Sequence, residues 1–170
     1  FFNLNKYELK DGGYDLVVGN LPFHVNGMKQ VPSASYDLDK HKAGSSEGEY
    51  KEGKTIWTDM VHRLVNGCIR NNGYGMIIIP LIWLKPDRTK VYHLLTHQCT
   101  ILYLRTYTST EANKLFGYNA QTPLCYVIFQ KREITKPKYT IQIFDRDVDD
   151  FVSFDFYKGQ NLCIPTNNVS

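Results

Sequence analysis

The residues best able to do chemistry stand together in "GNLPF", Gly19 to Phe23, at the end of the apolar run "YDLVV". Asn20 offers a side-chain amide oxygen. The Leu21 carbonyl offers a second acceptor if the turn points it the same way. Pro22 fixes its own φ and biases Leu21 toward extended backbone, which stiffens the turn. Phe23 adds a flat apolar ring. Two acceptors beside a ring suit a planar heterocycle that carries an amino group. The ring stacks on the heterocycle while the acceptors take both amino hydrogens. As the amino group loses conjugation, its nitrogen becomes a better nucleophile. The same residue types also make an ordinary strand-to-loop turn, with Asn and Pro as turn formers and Phe as core.

Other reactive side chains form weaker sets. His93 and His97 are spaced i, i+4 on an expected helix and could present two metal ligands, but the sequence places no third ligand near them. His24 follows Phe23 and reads as an exposed loop histidine. Trp57 and Trp83 read as core or pocket-edge rings, and Tyr103 and Tyr107 as strand packing rather than base stacking. The sequence shows no Ser-His-Asp context, no P-loop and no CxxC knuckle. Cys68, Cys99, Cys125 and Cys163 are widely spaced among apolar neighbours, which suggests reduced, packed thiols in an intracellular protein.

The elements that must position "GNLPF" are those of an α/β sheet. "YDLVVG" reads as a short strand buried on both faces, as in a parallel sheet. A long polar stretch follows Phe23. Within it, "DLDKHKAGSSEGEYKEGK" mixes lysines with Asp37, Asp39, Glu47, Glu49 and Glu52, so its charge nearly cancels and a solvated loop is expected over residues 33–53. Thr55 suits a helix N-cap, with apolar residues at helical spacing from Ile56 to Ile69 and Gly73 as a left-handed stop. "YGMIIIP", "CTILYLRTYT" and "TPLCYVIFQK" read as further strands, with a helix between Asp87 and His97. From Lys136 the alternation is that of antiparallel strands, and a boundary is expected near residue 135.

The totals agree with such a domain. The chain has 170 residues, enough for one domain with a sizeable core, with or without a short tail. It is 42% hydrophobic and 22% charged, an ordinary soluble composition. A net charge of +3 neither demands nor opposes a nucleic-acid partner. No apolar run approaches a membrane span and no signal peptide is visible. The first residue is Phe1 rather than Met, so a segment of a longer chain is expected.

"YDLVVGNLPF" resembles motif IV of the adenine-directed, S-adenosylmethionine-dependent methyltransferases, usually Asn/Asp-Pro-Pro-Tyr/Phe after an apolar strand. "GKTIWTDMVHRLVNGCIRNNGYGMIIIPLIWLKP" is similar to the helix and strand that follow in DNA adenine methylases of the restriction–modification type. "KLFGYNAQTPLCYVIFQK" is similar to their later motif. The resemblance covers residues 14–132. It implies the C-terminal half of a Rossmann-like methyltransferase sheet with flanking helices over residues 1–135. Residues 136–170 would be a short β-rich tail or the start of a target-recognition region. It further implies methyl transfer to the 6-amino group of adenine in DNA. On that resemblance Asn20 and the Leu21 carbonyl hold the amino group, Pro22 shapes the turn, Phe23 stacks on the base and Phe116 forms the opposite wall. A duplex target must be flipped out to reach such a site. No metal is implied, because a sulfonium is already an activated methyl donor.

Two departures bear on this expectation. Leu21 stands where the DNA enzymes usually have Pro, and Asn-Leu-Pro-Phe/Tyr is typical of ribosomal RNA adenine dimethyltransferases. Those have a short connection after the motif, whereas this chain has the long polar stretch and Gln121-Thr122-Pro123. The family's Gly-rich cofactor loop lies upstream of motif IV, yet only 13 residues precede Tyr14. Most of the S-adenosylmethionine site is therefore expected outside this chain, in a missing N-terminal half or a partner subunit. The alternatives are an RNA adenine methyltransferase and a non-catalytic nucleic-acid-binding or partner subunit.

Overall fold

Alternation of apolar side chains writes most of the sheet. In "YGMIIIP" every second residue, Gly75, Ile77 and Ile79, is buried, and in "LCYVIFQ" the same holds for Cys125, Val127 and Phe129. Such period-two segments pair into sheets with one face inward. The computed structural model describes residues 12–22, 56–86, 89–117, 122–132, 135–159, 161–167 and 169. Its elements run in the order β1 (Tyr14–Asn20), α1 (Ile56–Arg63), β2 (Ile69–Pro80), α2 (Val91–His97), β3 (Thr100–Tyr107), α3 (Ser109–Phe116), β4 (Leu124–Gln130), β5 (Lys138–Asp145) and β6 (Asp150–Tyr157). A π-helical turn, Leu64–Cys68, joins α1 to β2, and a 3-10 turn, Leu81–Leu84, follows β2.

The strands form one six-stranded mixed sheet in the order β1-β2-β4-β3-β5-β6. β1 is parallel to β2 and β3 to β5, while β4 runs antiparallel to both β2 and β3. Hence β1, β2, β3 and β5 all point the same way and share a carboxyl edge. β5 and β6, from the segment beyond residue 135, continue this sheet as an antiparallel hairpin.

Helices and sheet share one core. Trp57, Val61, Leu64 and Leu95 join Ile77, Phe129, Leu104 and Ile143 in a single cluster. Trp83 is fully buried and its indole Nε1 donates to Cys125 Sγ at 3.3 Å, so the ring keeps its polar edge satisfied inside the core. Burial pushes the Cys99 and Cys125 thiols up to about 12, which makes both packing groups rather than nucleophiles. Cys163 differs from the sequence expectation: it is exposed.

Two further expectations are corrected. The helix stops at Cys68, and the left-handed residue after it is Asn72, with φ 63°, not Gly73. Gly73 is needed for another reason. A Cβ there would lie 2.8 Å from the Tyr14 carbonyl and 3.0 Å from that of Arg70, so only glycine lets β1 approach. β1 is not buried on both faces either. Val17 packs against the core, but Leu16 and Val18 are 58% and 65% exposed. Among the described residues β1 is also the edge strand of the sheet, with β2 its only neighbour. No described helix is long and apolar enough to cross a membrane. Thr55, His24 and the polar stretch over residues 33–53 lie outside the described residues.

Candidate functional site

Asn20 stands at the carboxyl edge of the sheet. Pairing with β2 carries β1 to the end of the strand, where Asn20 aligns with Ile78. One residue on, the Leu21 N–H donates to the Ile78 carbonyl at 3.3 Å and the Leu21 side chain is buried in the core. Leu21 thus pins the turn from backbone and side chain alike. Asn20 and Pro22 stay exposed, and the Asn20 amide has no hydrogen-bond partner among the described residues. Phe23 lies outside the described residues.

Phe116 shares that edge without sharing the turn. It is the last residue of α3 and 53% exposed. α3 begins beyond the end of β3, three strand spacings from β1 or roughly 14 Å. Its first turn is a capping box. Thr108 Oγ1 accepts from the Glu111 N–H at 3.2 Å, and the Thr108 N–H donates to Glu111 Oε2 at 2.6 Å. Arg146, from the β5–β6 turn, anchors the box to the sheet. It donates to Glu111 Oε2 at 3.1 Å, to the Thr106 carbonyl at 2.8 Å and to Asn167 Oδ1 at 3.0 Å. The Thr108 N–H and then Arg146 hold the Glu111 carboxyl down to about 2. The Asp145 carboxylate accepts from the Val169 N–H at 2.8 Å, which binds the C-terminal segment to the same corner. The sequence expectation missed this corner; its one local signal was Thr108-x-x-Glu111, a capping-box spacing.

Register also shows what shares a face with Asn20. Asn20 aligns with Ile78, Ile78 with Tyr126 and Tyr126 with Arg105. The Arg105 guanidinium lies over the Phe144 ring, 3.8 Å from its centroid, and Phe144 pairs with Phe151. The adjacent row is Val18, Met76, Ile128, Tyr103, Gln142 and Ser153. None of these residues is buried, and Tyr103 is 43% exposed. Tyr103 and Tyr107, expected to be strand packing, do meet cross-strand rings, Phe151 at 5.6 Å and Tyr126 at 6.2 Å, but Tyr103 does so on an open face.

His93 and His97 do meet, with ring centroids 5.2 Å apart, but the described residues hold no group of three metal-binding side chains. His97 Nδ1 lies 2.8 Å from Thr96 Oγ1, and burial lowers its pKa. The described residues do not fit a nucleoside-bearing methyl donor either. β1, β2, β3 and β5 run on into Leu-Pro, Leu-Ile-Trp-Leu, Thr-Ser and Arg-Asp-Val-Asp, none of them glycine-rich. Gly12 and Gly13, with φ of 80° and 87°, stand at the opposite end of β1 from Asn20.

No family model matches the sequence, and no curated protein matches it. Among solved structures the chain is similar to the M protein of the type I restriction enzyme EcoKI, at 12% identity and a TM-score of 0.47, over 78% of this chain and 25% of that one. It is also similar to a chain from a structure on complex assembly and conformational transition of the type I R-M system, at 14% identity and a TM-score of 0.49, over 84% of this chain and 25% of that one. A modification subunit of a putative type I restriction enzyme from Vibrio vulnificus YJ016 is similar at 10% identity and a TM-score of 0.46, over 92% of this chain and 29% of that one. The chain thus spans between 25% and 29% of the length of these proteins.

Proposed function

We propose that this chain carries the target-base pocket of an enzyme that transfers a methyl group from S-adenosylmethionine to the 6-amino group of adenine in DNA. The observation that carries this reading is Asn20. It is an exposed amide, without a hydrogen-bond partner among the described residues, at the carboxyl end of a parallel strand and beside a turn pinned by Leu21. Ligands of open α/β sheets bind at such strand ends. The Asn20 amide oxygen and the Leu21 carbonyl would each accept one amino hydrogen of the target. That arrangement draws the nitrogen lone pair out of conjugation and holds it for attack. Phe23 would stack on the flipped base and Pro22 would keep the turn stiff. The methyl donor's own site would be supplied by residues other than those described, in an N-terminal half or a partner subunit.

The test is single-turnover methylation of an adenine-containing duplex, with the polypeptide that supplies the donor site present. Asn20→Ala should slow the chemical step by about 2–4 kcal/mol, the worth of one positioned hydrogen bond to a reacting group. Phe23→Ala should weaken base capture by about 1–3 kcal/mol. A folded Asn20→Ala protein that methylates at the wild-type rate would overturn the assignment. Methylation of RNA in place of the duplex would move the reading to an RNA methyltransferase. Binding without transfer would make the chain a recognition subunit.

A further inference from the structure

We propose that the part of the open sheet face carried by β3, β5 and β6 is a stacking platform for a single strand of nucleic acid. The strand positions on this part of the face show the chemistry. β3 contributes Tyr103, Arg105 and Tyr107; the hairpin contributes Phe144, Phe151 and Tyr157. Between the rings stand Thr140, Gln142 and Ser153; Thr140 Oγ1 donates to Asp155 Oδ1 at 3.1 Å and Gln142 Nε2 to Ser153 Oγ at 2.9 Å. Tyr103 and Phe151 meet edge to face at 5.6 Å, and Phe144 and Phe151 at 5.4 Å, so these three rings form one connected patch.

Charge decides the kind of partner. Arg105 is stacked between Phe144 and Tyr107 and has no carboxylate partner among the described residues. The other charges on these positions, Lys138 and Asp155, neutralise each other at 2.6 Å. A planar guanidinium held on aromatic rings, with no donor claimed by a described residue, is suited to a phosphate. Aromatic rings with one free cation are what unpaired bases and their backbone require; each base has a face to stack whatever its identity. The open face keeps its aliphatic side chains elsewhere. Leu16, Val18, Met76, Ile78 and Ile128 all stand on β1, β2 and β4. The platform shares its face and its row with Asn20. A strand lying on it therefore leads to the proposed base pocket, and this direction alone rests on the functional reading above.

The experiment is fluorescence anisotropy of the 170-residue chain with a short dye-labelled oligothymidylate and with its duplex. The single strand should bind tighter than the duplex. Tyr103→Ala and Phe151→Ala should each weaken it roughly tenfold. Tyr103→Phe should restore binding, because the ring is kept. Arg105→Ala should reduce the salt slope by about one phosphate contact. Leu16→Ser, on the aliphatic part of the face, should change nothing. Absent binding, equal loss with Leu16→Ser, or a self-association that Tyr103→Ala abolishes in sedimentation would each overturn the proposal. No methyl donor enters this measurement, so its failure and a failure of the Asn20 test are distinguishable.

Discussion

Ile77, Val127, Leu104 and Ile143 align across β2, β4, β3 and β5, and all are buried. Met76, Ile128, Tyr103 and Gln142 align beside them on the same strands, and none is buried. The first row packs against the helices; the second does not. Side-chain hydrophobicity alone does not separate the rows, since Met76 and Ile128 are as apolar as their neighbours. What separates them is the layer above. A sheet with one covered face has a stability side and a contact side, and a substitution should act according to the side it falls on.

The largest effect should come from emptying the covered side. Phe129 is fully buried, and Phe129→Ala should cost about 3–5 kcal/mol in urea unfolding. Tyr103→Ala, on the next strand but the other face, should cost less than about 1 kcal/mol, chiefly its contact with Phe151. Equal losses would erase the distinction between the faces.

Overfilling the covered side should come next. A Cβ at Gly75 would overlap the Phe129 ring. Gly75→Ala should therefore destabilise by about 1–3 kcal/mol. Combined with Phe129→Leu, it should cost less than the sum of the two changes, because the smaller side chain frees the space. Strict additivity would mean that Gly75 and Phe129 do not compete.

The corner at Glu111 tests the edge between the faces. Its carboxyl is held near 2, below the ordinary 4.5, so the folded state binds this proton less readily than the unfolded state. The contribution is then complete above the ordinary carboxylate range and is lost as pH falls toward about 2. The Glu111 side chain is 43% exposed, and solvent screening limits the effect to about 1 kcal/mol. Glu111→Gln should flatten that part of the acid limb in melts recorded at falling pH. An unchanged acid limb would show that Arg146 and Thr108 do not hold the carboxylate.

The strands were legible in the sequence because alternation and turn residues are local. So was the place where β1 stops, since Asn-Leu-Pro interrupts an apolar run. Alternation tells which residues share a face, but not whether another layer covers it. That is why "YDLVVG" reads as doubly buried and Tyr103 as packing, while the structure leaves both open. The Arg146 corner was hidden for a similar reason. Its partners Thr106, Glu111 and Asn167 lie 40, 35 and 21 residues away in sequence. Asn72 takes the left-handed turn, and Gly73 is needed instead by the close approach of the Tyr14 carbonyl, a contact from another strand.

The smallest expected effect probes the open side at its margin. Val18 stands on β1, the sheet's edge among the described residues, with its side chain 65% exposed. An apolar edge strand offers unpaired backbone groups and an apolar side chain to any passing chain, and an added lysine is the usual protection against that. Val18→Lys should change stability by no more than about 0.5 kcal/mol, as surface substitutions do. It should also reduce concentration-dependent association in sedimentation. A loss of stability comparable to that of Phe129→Ala would mean that this side of β1 is covered in the folded protein, and the division of the sheet into a covered and an open face would end at β2.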